Sequence, residues 1–334
     1  MLRGKGVNLT KTLIAKILII VLILVILVFP PSFLSVYYLT ILRNVLMWLA
    51  LSISWHFFSG STKYISLGSA AFFGVGVYFT AKYLQLSTAG EYPVLPLPVI
   101  VLLAGIVNFA LALVIGLVTL RLRGIYFAIL TFSVSIVVSN IINSWEIAVT
   151  GTRGTYIPIF DSSTVYYAIF TCTIATLLLT TLLRRSKFGL ALKMIGESEE
   201  AAVHVGVNAS LYKTLGFAVS AMLIGFMGAC FTTRLNGYVN TDIAFDPLYS
   251  FMPAVMTLLG GIGTVYGPII GSTTMSLLSD YLRVALAHYF LIILGVILIA
   301  IVIFMPNGIM GMVEKIKTTK LFRRKRATAP EMPP

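Results

Sequence analysis

The sequence has few charged residues, since only 10% of its 334 positions are Asp, Glu, Lys or Arg. A soluble domain carries roughly 25%, so this chain has too little charge to cover a surface that faces water. Hydrophobic residues make up 58%, and apolar runs recur at about 20 residues, the length of a membrane-crossing helix. The runs are continuous rather than alternating, which disfavours a β-barrel. The composition therefore predicts an all-α polytopic membrane protein.

Cysteine and histidine are also scarce. Cys172 and Cys230 both fall in apolar runs, which favours two small core residues over a disulfide or a metal pair. The three histidines show no metal-ligand spacing, so no metal site is predicted. The sequence has no Gly-x-x-x-x-Gly-Lys-Ser/Thr loop for binding ATP. It has no paired aspartates, His-Glu-x-x-His or Ser–His constellation either, which disfavours an intramembrane enzyme.

About ten transmembrane helices are predicted, which places both termini on one side of the membrane. Nineteen of the 24 Lys and Arg residues fall in segments on that side, and cytoplasmic segments are the ones enriched in these residues. Both termini are therefore expected in the cytoplasm, and this distribution accounts for the net charge of +13 without nucleic acid. The predicted spans are residues 12–29, 34–58, 65–84, 94–120, 125–146, 164–183, 212–233, 248–262, 267–285 and 288–305.

Two regions follow from these spans. Residues 1–313 form one transmembrane domain, which includes a long cytoplasmic loop at residues 184–213. Residues 314–334 form a basic tail, which is expected to be cytoplasmic and disordered and to meet anionic lipid headgroups.

The membrane interior is predicted to be poor in ionisable groups. None of the eleven acidic residues lies near a midplane, where proton-driven carriers usually place them. Energy for uphill transport would then come from another chain, although sodium sites built from backbone carbonyls keep an ion-coupled secondary carrier open.

Asp280 is expected to form a local pair with Arg283. Arg43 makes either an interior structural contact, a bend toward the headgroups, or a contact to a substrate carboxylate.

Three segments rich in small residues could form moving or substrate-lining parts. In residues 65–76, small side chains let another helix approach closely, and Ser66 and Ser69 could line a polar path. In residues 119–131, a tight turn precedes Tyr126 and Thr131. The third segment is a turn between two helices or a broken helix, which could move; its key residues are Gly260, Gly261, Gly263, Gly267 and Pro268.

The loop 184–213 has the pattern of a short amphipathic helix. Gly196 weakens its middle, Gly206 ends it, and Asn208 and Ser210 can cap the next helix. Such a loop either lies on the membrane surface or docks on a cytoplasmic partner. Its apolar side is supplied by Leu190, Leu192, Ile195, Ala202 and Val203.

Three acidic residues in this loop, Glu197, Glu199 and Glu200, disfavour anionic headgroups and favour a protein partner. Residues 200–206 read EAAVHVG and fit the pattern E-A-A-x-x-x-G of ABC importer permeases. Four segments extend the likeness over roughly residues 35–310: SLGSAAFFGVGVY, LRLRGIYFAILT, SKFGLALKMIGESEEAAVHVGVNASLYK and LLGGIGTVYGPIIG. The chain resembles the branched-chain amino-acid ABC permease family of the LivM type.

The resemblance implies an ABC importer permease-like bundle in the plasma (inner) membrane and a transport subunit that is not itself an enzyme. It implies ABC ATPase subunits that bind ATP and Mg, a second, LivH-like permease chain, and an extracytoplasmic substrate-binding protein. It places the contact with the ATPase at Glu197, Glu200, Ala201, Ala202 and Gly206. No cofactor is expected in this chain.

The implied cargo is a branched-chain amino acid, and polar side chains are expected along its path. Two departures from the family pattern leave other cargoes open, such as urea, short amides or another amino acid. The pattern Gly-Gln-x-Ser-Leu-Gly-His-Ala has Lys63, Tyr64 and Ser69 in place of its first Gly, its Gln and its His, and a Thr-Gly-Gly loop reads Thr-Gly-Thr at residues 150–152. The expected lining residues are Ser66, Gly68, Ser69, Asn108, Tyr126 and Thr131.

Overall fold

The helices of the computed structural model coincide with the predicted apolar spans. The structure describes residues 34–264, 266–304 and 308–311. Each of the nine predicted spans between residues 34 and 305 coincides with a helix, and six of the helices are long and apolar enough to cross a membrane. The predicted span 12–29 and the tail 314–334 lie outside the described residues. The total of ten helices and the side of the termini therefore stay predictions.

The secondary structure is almost entirely helical. The helix that begins at Val36 continues into a π-helical turn at His56–Gly60, and a 3-10 turn at Ala287–Tyr289 precedes the helix that begins at Phe290. Two short strands, β1 (Thr155–Tyr156) and β2 (Tyr238–Val239), pair antiparallel. The α-helices are α1 (Val36–Trp55), α2 (Ser69–Thr88), α3 (Leu97–Thr119), α4 (Ile125–Thr150), α5 (Ser162–Arg185), α6 (Lys187–Glu197), α7 (Glu199–His204), α8 (Ala209–Thr232), α9 (Thr241–Ala244), α10 (Leu248–Gly260), α11 (Gly267–Ala285) and α12 (Phe290–Phe304).

The central element is α8, because 83% of its most apolar 18-residue stretch is buried. It packs against α1, α2, α3 and α5. Close helix packing in a membrane depends on small residues at the contact, and α8 supplies them: a side chain at Gly228 would collide with the carbonyl oxygen of Phe73 on α2. Cys230, on the same helix, and Cys172, on α5, are buried and free, as predicted.

The helix connections lie at two ends of the bundle. One end holds α6 and α7 and the turns at residues 61–68, 120–124 and 261–264. We call it the basic end because Lys63, Arg121, Arg123 and Lys187 lie in these segments. The opposite end holds β1 and β2. Close to it, the fully buried Glu146 accepts hydrogen bonds from the Tyr78 hydroxyl (3.1 Å) and the Thr155 hydroxyl (2.8 Å). This carboxylate connects α4, α2 and β1.

Candidate functional site

The loop 184–213 forms two helices rather than the single helix predicted. Ser186 caps α6 by accepting from the Gly189 amide (3.4 Å), and Ser198 caps α7 by accepting from the Ala201 amide (3.3 Å). A capping serine satisfies a backbone amide that has no partner within its helix. The loop therefore turns at Ser198. The predicted apolar side is correct for Leu192, Ile195 and Ala202, which are buried, and wrong for Leu190 and Val203, which are 58% and 53% exposed.

Gly206 ends the second helix, as predicted. The Gly206 amide donates to the Val203 carbonyl (2.9 Å), and the next amide donates to the Ala202 carbonyl (3.0 Å). The backbone of Gly206 has φ of +90°, a conformation that glycine adopts easily and other residues disfavour. Asn208 then caps α8 by accepting from the Leu211 amide (3.1 Å). Of the two predicted caps for α8, the structure uses Asn208.

α6 packs directly on the bundle. A side chain at Gly196 would collide with the carbonyl oxygen of Ser61, in the turn before α2. The sequence predicted that Gly196 only weakens the helix, whereas the structure uses its small size for a backbone contact. At the start of α6, the Phe188 ring lies 6.3 Å from the Phe57 ring and 5.7 Å from the Tyr212 ring. Both ends of α6 are thus held against the membrane helices.

An ionic cluster holds the start of α7 against the bundle. The Glu199 carboxylate accepts from Lys213 Nζ (2.7 Å) and from the Tyr64 hydroxyl (2.7 Å). Lys213 Nζ also donates to the Tyr64 hydroxyl (3.1 Å), and the Arg123 guanidinium lies 3.6 Å from Glu199. We call these four residues the Glu199 clamp. It connects α7 to α8 and to the turns before α2 and α4.

The clamp changes the protonation equilibria of two of its members. Burial alone would raise the pKa of the Glu199 carboxyl, but the hydrogen bonds from Lys213 and Tyr64 outweigh it, and the net shift of the pKa is downward. Burial and the bond to Glu199 raise the pKa of Tyr64. The carboxylate therefore stays charged and the phenol stays a donor at neutral pH.

The outer face of α6 and α7 carries most of the residues predicted to touch an ATPase. Glu197, Glu200, Ala201 and Gly206 are exposed, whereas Ala202 is buried beneath α7. Two of the three acidic residues therefore face outward, while Glu199 turns inward to the clamp. The contact with a partner stays a prediction.

Four of the six predicted path residues lie together. The Leu67 amide donates to the Thr131 hydroxyl (3.0 Å), and the Gly68 amide donates to the Ser66 hydroxyl (3.3 Å). Ser66 and Ser69 share the wall of a cavity of about 10 Å³, room for one water molecule at most. As a substrate path this group stays a prediction.

The other two predicted path residues lie elsewhere. Asn108 is fully buried, where its amide donates to the Ala104 carbonyl (2.9 Å) and packs against Gly225 of α8. Tyr126 is 70% exposed on the first turn of α4. Neither residue lines the small serine cavity.

The predicted glycine-rich segment forms a tight turn. α10 ends at Gly260, Gly261 has φ of +110°, and α11 begins at Gly267. A side chain at Gly260 would collide with the Gly267 carbonyl oxygen, and Pro268 occupies the first turn of α11. Gly263 lies in the turn with open space around it. That this turn moves stays a prediction.

The predicted pairing of Asp280 with Arg283 is wrong. Among the described residues, no ion pair joins them; Asp280 instead accepts from the Asn44 amide (2.9 Å), and the Arg283 guanidinium lies 4.6 Å over the Phe290 ring. One helical turn separates Asp280 from Arg283, but Asn44 holds one oxygen of Asp280 and the Arg283 guanidinium stacks on Phe290. Arg43 is buried and donates to the Thr40 hydroxyl (2.7 Å). This is an interior contact, and a contact to a substrate carboxylate stays a prediction.

A bundle of apolar helices long enough to cross a membrane, with two short helices attached to one end, is the architecture of an integral membrane protein. The family model described as the permease component of branched-chain amino acid transport systems matches residues 37–302, and the chain belongs to that family. It is the permease component of an ABC transporter and an integral protein of the inner membrane.

Curated relatives include other permeases of this kind. The high-affinity branched-chain amino acid transport system permease protein LivM of Salmonella typhimurium is 24% identical, over 88% of this chain and 75% of that protein. LivH of Escherichia coli K12, from the same kind of system, is 31% identical over 42% of this chain and 45% of its own. The ribose import permease protein RbsC of Bacillus subtilis is 25% identical over 40% of this chain and 43% of that protein. No solved structure matches significantly.

Proposed function

We propose that this chain translocates a branched-chain amino acid, Leu, Ile or Val, into the cell. A separate ATPase, holding ATP and Mg, docks on the outer face of α6 and α7. A LivH-like permease chain completes the pathway, and an extracytoplasmic binding protein delivers the cargo. The basic end, with both termini, faces the cytoplasm, where the tail meets anionic lipids. The long LivM likeness supports this cargo, while the shorter likeness to a ribose permease adds ribose to the compounds to be tested.

The observation that carries the proposal is the attachment of α6 and α7 to the bundle. Gly196 lies against the turn before α2, and the Glu199 clamp joins α7 to α8 and to the turn before α4. A displacement of the two helices is therefore transmitted to several membrane helices at once. Closure of the ATPase dimer on ATP would move α6 and α7 as a near-rigid body and rock the helices around the path.

Co-purification tests the proposal directly. The chain is isolated from its native membrane in mild detergent, and the proteins that co-purify with it are identified by mass spectrometry. We expect a P-loop ATPase and a second hydrophobic permease. If the chain purifies alone even after crosslinking through residues 197–206, and if vesicles without ATP accumulate the cargo, the chain is a secondary carrier and the proposal is wrong.

Replacing Gly206 with valine is expected to uncouple ATP hydrolysis from uptake. A β-branched residue at φ of +90° is strained by about 1–3 kcal/mol, so the end of α7 must change shape. The amount of amino acid transported per ATP hydrolysed, measured in liposomes, should fall several-fold. Gly206→Asn is the matched control, because asparagine tolerates left-handed backbone better, and it should retain most coupling. Normal coupling in the valine variant would contradict a role for this helix end.

A further inference from the structure

A second, larger cavity lies near the opposite end of the bundle from α6 and α7. Its volume is about 420 Å³, and its wall comes from α1, the end of α8, α10 and α11. This volume falls within the range of small-molecule sites, roughly 300–1,000 Å³. None of the residues predicted to line the path from the sequence belongs to it.

The wall of this cavity holds polar atoms that lack partners among the described residues. Oδ1 of Asp280 accepts from Asn44, but Oδ2 is buried and has no hydrogen bond. The hydroxyl of Ser279, a residue only 4% exposed, has none either. Beside the cavity, Nε of the buried Arg43 also lacks an acceptor. Buried polar groups are normally paired, so these atoms have unused hydrogen-bonding capacity, which rotation of their side chains would turn toward a polar ligand in the cavity.

The charges around the cavity have both signs. Arg234 and Arg283 line it, and Arg43 lies next to it through its bond to Thr40, which is part of the wall. Arg234 donates to the Asn44 side-chain oxygen, and Asn44 in turn donates to Asp280. Asn44 thus holds a cation and a carboxylate on its two sides. An arrangement of this kind suits a ligand that carries both a carboxylate and an ammonium group.

The remaining wall is apolar. The Trp48 and Tyr249 rings lie 5.7 Å apart, and Met47 and Met252 lie beside them. Aromatic and thioether side chains provide contact area for an aliphatic group. The cavity therefore offers polar recognition of both charges and an apolar surface next to them.

We infer that this cavity binds a zwitterionic α-amino acid. Asp280 Oδ2 accepts from the ammonium group, Arg234 and Arg43 hold the carboxylate, and the aliphatic side chain packs on Trp48 and Tyr249. The inference rests on the proposed function and adds the place where the cargo is held before it crosses. The site is built from four helices, so that rocking of these helices would change its shape and release the ligand.

Uptake kinetics of the assembled transporter in liposomes test the role of Asp280. The KM for L-leucine is expected to rise about tenfold or more in Asp280→Asn, the loss implied by one missing charged contact, and Asp280→Glu should restore part of it. Asp242→Asn, at an exposed acid of the same end, is the matched control and should keep the parent KM. An unchanged KM in Asp280→Asn overturns the site. If the parent transporter takes up no amino acid, the proposed function itself fails.

Cysteine labelling tests occupancy even if the Asp280 variants do not assemble. Thr40→Cys is a small change at a partly exposed position of the cavity wall, and both native cysteines are buried. L-leucine is expected to slow the reaction of this cysteine with a methanethiosulfonate reagent about tenfold at saturation. 4-Methylpentanoate and isopentylamine, which each lack one charge, should protect far less. Thr152→Cys, exposed at the same end, should react equally with and without leucine. Labelling of Thr40→Cys that is independent of leucine contradicts the site.

Discussion

Gly196→Ala is expected to lower ATP-driven uptake by about tenfold or more. The added methyl group would collide with the Ser61 carbonyl oxygen and lie 3.0 Å from the Ser61 carbonyl carbon. Those atoms are backbone and cannot rotate away, so α6 must move off the turn before α2. Overpacking of this kind costs about 1–3 kcal/mol. The measurement is uptake and ATP hydrolysis by the reconstituted transporter.

Helix propensity predicts the opposite effect for the same change. Alanine in a helix interior is favoured over glycine by about 1 kcal/mol, so Gly196→Ala should strengthen α6 if the residue had no tertiary contact. Gly295→Ala, in α12, is the matched control, because within the part of the chain that the structure describes no atom outside the local helix backbone lies within 4 Å of the added group. We expect it to leave transport unchanged. If both variants transport normally, α6 does not need its backbone contact with Ser61.

Removing the Glu199 carboxylate is expected to have the second large effect. Lys213 is only 5% exposed, and Glu199→Ala would leave its ammonium group buried without its closest charge partner. Removing one partner of a buried ion pair, so that the other charge stays buried alone, costs about 3–5 kcal/mol of stability. We expect a lower thermal denaturation temperature for the detergent-purified protein, together with loss of uptake. Because the net shift of the Glu199 pKa is downward, this stabilisation is complete above its unfolded pKa. It is lost as pH falls through the lower folded pKa.

A double-mutant cycle separates the clamp from other effects. Replacing Lys213 with methionine in the Glu199→Ala background removes both charges, so the double variant should be more stable than the sum of the single changes predicts. Glu200→Ala is the neighbouring control. Glu200 is exposed, so the denaturation temperature should not change, although ATPase binding should weaken. Additive effects in the cycle would mean that Glu199 and Lys213 do not act together.

The sequence predicted the helices well because hydrophobic runs depend only on neighbouring residues. It also predicted a helical segment outside the apolar spans, since polar residues at 184–213 interrupt those spans; the coupling role that the family pattern at residues 200–206 implies stays a prediction. It missed the Glu199 clamp. Lys213 comes 14 residues after Glu199, and Tyr64 comes 135 before it. No local pattern records a contact over such separations.

Two further features had a signal in the sequence that was interpreted too locally. Gly196 was taken as a weak point of a helix, although glycine also permits close backbone approach. Lys63 stands where the family pattern has glycine, and its φ of +60° lies in the region that glycine adopts easily. The cavity lined by Asp280 had no signal at all, because Asn44, Arg234 and Asp280 come from α1, the turn after α8 and α11, which are distant in the sequence.

The pair of short strands has a consequence for biogenesis. Thr155 pairs with Val239, and four helices, α5 to α8, lie between them in the chain. During synthesis β1 is made first, and its partner β2 is made only after α8. Bringing such distant segments together carries a loop-closure entropy cost, so the strands pair only after the intervening helices have packed. Insertion of the helices into the membrane and pairing of the two strands are therefore separate stages of maturation.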